Sequence, residues 1–118
     1  MLVLYIIHSM NINKYYSNKW AVRKSNIHGL GMFTNKHFDK NEIVGIGIVF
    51  IKANTAYITQ DFAKWINHSY NPSCYLYYSK KHNVYFVVAL RCLPYNTEVT
   101  INYNHTPSFI KKAESHYK

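Results

Sequence analysis

Short β-prone segments separated by turn residues are the feature that most constrains how this chain folds. One of them covers residues 42–51 and contains glycines at positions 45 and 47, which predict a strand that is bent or closely approached there. Further strands are predicted at 20–24, 32–34, 75–78, 83–93 and 98–103. Only residues 59–66 show helical spacing, with Phe62, Trp65 and Ile66 on one face. The pattern predicts a mostly β domain with one short helix.

The chain is strongly basic. Its 118 residues include 14 Lys and Arg against 5 Asp and Glu, for a formal net charge of +9, and all of the basic residues except Arg23 and Arg91 are lysines. Lysine supplies charge without the bidentate geometry that reads bases, so the excess favours unspecific attraction to a polyanion such as nucleic acid. An A/T-rich coding sequence, which raises Lys, Asn, Ile and Tyr together, explains the composition equally well.

Cysteine content and hydropathy predict an intracellular protein without a membrane segment. The apolar run at residues 2–7 is much shorter than the ~20 residues that a transmembrane helix requires, and it lacks the flanks of a signal peptide. The two cysteines, Cys74 and Cys92, cannot form a disulfide framework of the secreted kind, so a reducing compartment is expected. Both are predicted to be buried small apolar residues.

Three segments carry polar groups that a hydrophobic core would not favour. The first contains two glycines, Gly29 and Gly31, which allow a backbone to bend and to approach a ligand closely. The second has Asn67 and His68 at the end of the predicted helix, where they offer both donors and acceptors. The third is a strand that ends in Tyr103. Taken singly, the three segments are more typical of a tight turn, a helix-terminating turn and a packing tyrosine, respectively, than of a functional site.

Their order and spacing are more specific than any one of them. The patterns are Ser25-x-x-His28-Gly29-x-Gly31-x-Phe33, Ile66-Asn67-His68-Ser69-x-x-Pro72 and Glu98-Val99-Thr100-x-Asn102-Tyr103. In this order they resemble the SET-domain protein lysine methyltransferases, over about residues 20–103, and the small size is similar to the minimal SET proteins of large DNA viruses and some bacteria. The resemblance implies a SET domain at 20–118 after an N-terminal extension at 1–19. It also implies a β-clip fold of short curled sheets with a C-terminal pseudoknot, in which the end of the chain threads the loop at 67–72.

The resemblance also implies a cofactor and a set of site residues. The cofactor would be S-adenosylmethionine, and its methyl group would pass to the side chain of a protein lysine, of a histone or another protein. The positions that match cofactor-binding residues of the family are Gly29, Leu30, Gly31, Asn67, His68 and Tyr103. Tyr103 also falls on the catalytic tyrosine. The aromatic that stacks on adenine would be Phe109 or Tyr117, with Phe109 preferred.

A narrow channel for the target lysine is a further implication of the resemblance. Its candidate residues are Tyr57, Tyr75, Tyr77 and Ile101, and Ile101 occupies the position that commonly controls how many methyl groups fit. Because a side chain without a hydroxyl cannot hydrogen-bond the amine there, products beyond monomethyl-lysine are expected. The chemistry needs a neutral amine, which an apolar channel favours. Tyr103 is expected to orient the reacting groups and not to act as a base.

Several departures from the family pattern affect these expectations. Tyr70 replaces the cysteine of the families with a cysteine-rich tail, and residues 93–118 contain no cysteine, so that zinc site is excluded and no metal site is predicted. Ser73 stands where the family usually has Asn. The insert at 52–64 has only 13 residues. Peptide recognition is therefore reduced, or supplied by the N-terminal 19 residues or by a second subunit in a homodimer.

Three functions account for these observations to different degrees. The favoured one is an S-adenosylmethionine-dependent protein-lysine N-methyltransferase, located in the nucleus if host chromatin is its substrate and otherwise in the cytoplasm. The alternative is a catalytically weak or inactive SET-like module that binds protein or nucleic acid. A small basic nucleic-acid-binding domain unrelated to SET explains none of the three patterns. Because the chain has few acidic residues to attract a cationic histone tail, contact with a nucleosome through its DNA is also considered.

Overall fold

The computed structural model describes residues 19–52 and 55–107 as two four-stranded sheets. In chain order the strands are β1 (Trp20–Lys24), β2 (Leu30–Thr34), β3 (Ile43–Lys52), β4 (Thr55–Ile58), β5 (Asn67–His68), β6 (Cys74–Ser79), β7 (Val84–Ala89) and β8 (Glu98–Ile101). The sheet orders are β1-β2-β8-β5 and β4-β3-β7-β6. Every pairing between these strands is antiparallel except the parallel pairing of β5 with β8. The predicted mostly β fold is confirmed.

The hydrophobic core joins the two sheets. Trp20 of β1 donates its indole N–H to the carbonyl oxygen of Val44 in β3, at 3.1 Å, and its ring lies 4.6 Å from the ring of Phe62. Met32, Val87 and other apolar side chains complete one continuous buried cluster. A tryptophan buried with its N–H satisfied contributes both apolar area and orientation, so this contact fixes how the sheets face each other.

The two glycines of β3 are sites of bending and close approach, as predicted. The register of β3 against β7 shifts between Ile43 and Gly45 and again between Ile46 and Ile48. A Cβ atom at Gly45 would lie 2.7 Å from the ring of Phe62. Phe62 is only 1% exposed, and Trp20 holds its ring in place, so it has no room to move away.

The predicted helix at 59–66 is wrong in extent. Only Ala63–Trp65 is helical, as a 3₁₀ helix. The reason is Thr59, whose hydroxyl accepts the N–H of Ala63 and donates to the carbonyl oxygen of Ile46. That hydroxyl takes the place of a helical backbone acceptor and fixes the segment to β3. Phe62 and Ile66 are nevertheless buried, with Trp65 packed beside them, so the predicted apolar face is confirmed.

The two cysteines differ in environment. Cys74 is buried, as predicted, and burial raises the pKa of its thiol to about 11. Cys92 is exposed, so its predicted burial is wrong. The cause is the β-bridge between Phe38 and Leu93, in which Leu93 takes the inward position and its neighbour Cys92 faces solvent.

The predicted N-terminal extension and the predicted C-terminal pseudoknot both involve residues that the structure does not describe. The extension at 1–19 lies almost wholly outside the described residues, and the pseudoknot requires chain beyond residue 107, so both stay predictions. Strand β4 falls within the segment predicted as a short insert. Among the described residues, no helix has the length and apolar character needed to cross a bilayer.

Replacing Gly45 with Ala should destabilise the fold by about 1–3 kcal/mol, because the added methyl group collides with the confined ring of Phe62. Chemical denaturation of the wild type, Gly45→Ala, Phe62→Leu and the double variant measures the effect. The double variant should be more stable than the sum of the single losses predicts, since Leu vacates the space that the methyl group needs. Additive losses would show that the two positions do not interact.

Candidate functional site

The three polar segments meet at the carboxylate of Glu98. The Ser25 hydroxyl donates to this carboxylate at 2.9 Å, and the Asn67 side-chain amide donates to Glu98 Oε2 at 2.9 Å. Ser25 also accepts the N–H groups of Ile27 and His28, which begins the turn of the first segment. One acidic side chain on β8 therefore holds together segments that are more than thirty residues apart.

Asn67 fastens the glycine-containing loop to β5. Its amide nitrogen lies 3.0 Å from the carbonyl oxygen of His28 and 3.1 Å from that of Leu30, in addition to its bond to Glu98. Two amide hydrogens are thus shared among three acceptors. The backbone of Asn67 pairs with Thr100 of β8. The loop is consequently held against the β5–β8 pair while Leu30 stays half exposed.

The two glycines of this loop serve different purposes. Gly29 has φ +48°, a left-handed conformation that favours glycine, and a Cβ atom there would meet no heavy atom within 4 Å. Gly31 is buried, and a Cβ atom added there would collide with Glu98 Oε2. Gly31 is therefore required for packing around Glu98, whereas Gly29 makes the turn and leaves open space beside the backbone.

His68 is a buried, neutral acceptor for the segment that carries Tyr103. The backbone N–H of Tyr103 donates to His68 Nδ1 at 3.0 Å, so the imidazole proton resides on Nε2. Burial lowers the pKa of His68, which favours this uncharged form. The imidazole contacts two aromatic rings edge-on, Tyr70 at 4.3 Å and Tyr103 at 5.2 Å between centroids.

The Tyr103 side chain is positioned at both ends. Its hydroxyl donates to the carbonyl oxygen of Ile66 at 2.7 Å. Its backbone begins a 3₁₀ helix, Tyr103–His105, which Asn102 caps by accepting the N–H of Asn104. Thr106 then donates its hydroxyl to the Tyr103 carbonyl oxygen. The phenol ring is thereby fixed relative to β5.

A cavity of about 450 Å³ opens beside the Tyr103 ring. Its walls are mainly glycine and aliphatic side chains, with a few polar groups; the lining residues are Gly47, Ile48, Ile58, Gln60, Ala63, Lys64, Ile66, Leu76, Val87, Ile101, Tyr103 and Thr106. Ile66 lines this cavity, whereas the next residue, Asn67, binds the glycine loop. Ile66 and Asn67 lie in extended chain, where successive side chains point to opposite faces, so the cavity and the glycine loop are placed on either side of this segment.

The predicted channel residues are distributed unevenly around this cavity. Ile101 lines it, but Tyr57 and Tyr77 are more than half exposed and do not. Tyr75 is half-buried, and its hydroxyl approaches Asn41 at 3.4 Å. These three roles stay predictions. Phe109 and Tyr117 lie outside the described residues.

Sequence reasoning missed several residues that the structure places at the site. Lys64 and Thr106 line the cavity, and neither belongs to a recognised pattern. Ser73, noted only as a departure, donates to the Glu98 carbonyl oxygen at 2.8 Å and accepts the Thr100 N–H at 2.9 Å. The only sequence feature that could have identified Lys64 as a site residue is its position directly before Trp65-Ile66-Asn67.

Comparisons with known proteins identify the fold. A family model described as the SET domain matches residues 48–104. No curated protein matches the chain. Among the matching solved structures is that of a Plasmodium falciparum protein described as a candidate histone methyltransferase, with 24% identity and a TM-score of 0.60. The match covers 75% of this chain and 100% of that one, and it establishes a shared SET-domain fold, as predicted.

Acidification should weaken the fold through His68. Its lowered pKa means that the unfolded chain binds a proton more readily than the folded chain, so stability is present above about pH 6.5 and falls as the pH drops below it. The slope for one proton cannot exceed about 1.4 kcal/mol per pH unit. Denaturation midpoints from pH 7.5 to 5 measure it.

The chain has seven histidines, so the control must isolate this one. In His68→Asn, the side-chain oxygen takes the position of Nδ1 and still accepts the Tyr103 N–H, but it does not titrate. This variant should show a shallower pH dependence than the wild type. Equal slopes in the two proteins would assign the acid sensitivity to other groups.

Proposed function

We propose, from the match of residues 48–104 to the SET-domain model and the shared SET-domain fold, that this chain is a protein-lysine N-methyltransferase of that family that uses S-adenosylmethionine. The observation that carries the proposal is the position of residues 66–67 between two spaces. Ile66 lines an apolar cavity that Tyr103 also lines, and Asn67 holds the glycine loop on the other side. A methyl donor and a lysine entering from opposite sides would meet there, as an in-line displacement requires.

The residues on the loop side fit the proposed donor. The open space beside Gly29 leaves the loop backbone accessible, and hydrogen bonds from Asn67 and to Ser25 maintain the loop conformation. Backbone groups of this kind suit the ammonium and carboxylate of a methionine moiety. When bound, the donor supplies a methyl group on a positively charged sulfur. Asn67, His68 and the backbone at 29–31 would hold it.

The cavity side favours the reactive form of a lysine. A free lysine has a pKa near 10.4, so only about one in two thousand is neutral at pH 7. Aliphatic walls formed by residues such as Ile48, Leu76 and Val87 penalise the ammonium ion. Lys64, which also lines the cavity, adds like charge that disfavours it further. Both effects shift an entering lysine towards the neutral nucleophile.

Tyr103 would orient the amine and not remove its proton. The single phenol hydrogen is donated to the Ile66 carbonyl oxygen at 2.7 Å, and Tyr103 lines the cavity, so its phenol oxygen would meet an entering amine as an acceptor. An amine that donates one N–H to this oxygen keeps its lone pair free for attack on the methyl group. Alignment of this kind removes several kcal/mol from the barrier of a reaction between two bound groups.

The first substrates to test are histones. The structural neighbour from Plasmodium falciparum is described as a candidate histone methyltransferase, which supports this choice. The net charge of +9 opposes direct attraction of a cationic tail, and it favours approach to a nucleosome through DNA. Free histones and nucleosomes should therefore be compared, with activity on nucleosomes the more sensitive to salt.

Replacing Tyr103 with Phe should reduce methyl transfer by at least 100-fold, because the oriented acceptor is lost. Binding of S-adenosylmethionine should change little, since the contacts of the glycine loop remain. Transfer of radiolabelled methyl groups to histones and nucleosomes measures the first effect, and calorimetry measures the second. Loss of the hydrogen bond to Ile66 should cost only about 1 kcal/mol of stability.

Tyr70→Phe is the matched control. Tyr70 also contacts the His68 ring, but it is more than half exposed and does not line the cavity. This variant should keep wild-type activity. Undiminished transfer by Tyr103→Phe would disprove the assignment of the catalytic tyrosine. Cofactor binding with no transfer by the wild type would support an inactive SET-like module instead.

Ile101 should permit products beyond monomethyl-lysine. It lines the cavity two residues before Tyr103 and has no hydroxyl group to hold the amine in one orientation. Ile101→Tyr should shift the product towards monomethyl-lysine by filling space and adding a hydrogen-bonding group, whereas Ile101→Val should not. Mass spectrometry of the product distinguishes these outcomes. A wild-type enzyme that adds only one methyl group would contradict the role given to Ile101.

A further inference from the structure

A β-bridge away from the cavity gathers three metal-ligating side chains on one surface. Phe38 and Leu93 exchange two backbone hydrogen bonds, of 2.9 and 2.8 Å, and both side chains are buried. Neighbours of a residue in extended chain project to the opposite side. His37, Asp39 and Cys92 are accordingly all exposed, on the face opposite the core.

The ligand atoms of these three residues lie close to one another. The His37 ring nitrogen, a carboxylate oxygen of Asp39 and the Cys92 sulfur are all within 4.8 Å of one another, and His37 Nε2 is 2.7 Å from Asp39 Oδ1. Ligands of a tetrahedral zinc ion, with bonds of about 2.0–2.3 Å, lie roughly 3.5 Å apart. Small rotations of exposed side chains would bring the three atoms to that spacing.

We propose that His37, Asp39 and Cys92 form a binding site for a divalent transition-metal ion of the zinc class. Imidazole, carboxylate and thiolate are the three ligand types that Zn²⁺ takes in proteins. Two anionic ligands and one neutral ligand balance the charge of the ion. The fourth position is open to water, since the cluster is on the surface. None of these residues lines the cavity beside Tyr103.

Two neighbouring cations, Lys36 and Arg91, are directed to other partners. Lys36 forms an ion pair with Glu42 at 3.3 Å, with its ammonium over the Phe38 ring. Arg91 donates to the carbonyl oxygen of Pro72 at 3.0 Å. These contacts draw positive charge away from the three ligands, which lowers the electrostatic cost of binding a cation in a basic protein.

A metal at this position would join two separate connections of the fold. His37 and Asp39 belong to the segment between β2 and β3, and Cys92 belongs to the segment between β7 and β8. The ion would reinforce the Phe38–Leu93 bridge and thereby stabilise the chain that leads into β8. Its effect on stability follows mass action, so the melting temperature should rise with metal concentration.

Titration of the metal-free chain with Co²⁺ tests the site directly, because a cobalt–thiolate bond produces an intense charge-transfer absorption. The wild type should give this absorption with one equivalent bound, and Zn²⁺ should abolish it by displacement. Cys92→Ser should lose it, whereas Cys74→Ala should retain it, since Cys74 is buried elsewhere. His37→Gln and Asp39→Asn should each weaken Co²⁺ binding at least tenfold.

Each contrary result overturns the proposal. Absence of the absorption in the wild type would show that the three residues form only a surface hydrogen-bonded pair beside a thiol. Persistence of the absorption in Cys92→Ser would show that another thiolate binds the metal. Unchanged Co²⁺ affinity in both His37→Gln and Asp39→Asn would show that the Cys92 thiol alone binds it. Tyr103→Phe should retain the absorption, so this test is independent of methyl transfer.

Discussion

The carboxylate of Glu98 is the constraint on which the rest of the site depends. It accepts hydrogen bonds from Ser25 and Asn67, and its position requires glycine at residue 31. Hydrogen bonds to a charged group are worth about 1.5–3 kcal/mol each, more than most neutral ones. Without this anion, the loop at 28–30 would have no fixed relation to β5, and the open space beside Gly29 would have no defined shape.

Strand β8, which carries Glu98, also pairs with the segment that reaches both sides of the site. Its partner β5 has only two residues, yet the segment around β5 places three consecutive side chains in three environments. Ile66 lines the cavity, Asn67 holds the loop, and His68 supports the backbone of Tyr103. Ser73 binds the backbone of β8 from the next segment. A short parallel pairing thus lies between the two spaces from which the proposed reactants would approach each other.

Local patterns predicted six of the eight strands in the described part of the chain, because these follow alternation and turn residues, but they did not predict the short strands β4 and β5. The bounds predicted for β1 are those observed, and β8 ends where polar Asn102 caps the next 3₁₀ helix. The helix at 59–66 was wrong because the Thr59 hydroxyl bonds to β3, a contact between distant residues. The exposure of Cys92 likewise depends on a distant contact, the bridge to Phe38 that turns its neighbour Leu93 inward. The residues of the glycine loop were recognisable from their spacing, whereas no pattern in the sequence predicted the hydrogen bond between Tyr103 and Ile66.

The same geometric device operates at both sites. At residues 66–67 and again at 37–39, a side chain fixed on one side of an extended segment forces its neighbour to the other. Because Phe38 is buried, its neighbours His37 and Asp39 are exposed. In the same way, because Ile66 faces the cavity, its neighbour Asn67 reaches the glycine loop. A small domain has little interior in which to build separate layers. Because successive side chains of a short extended segment point to opposite faces, adjacent residues can contribute to an apolar surface on one face and a polar surface on the other.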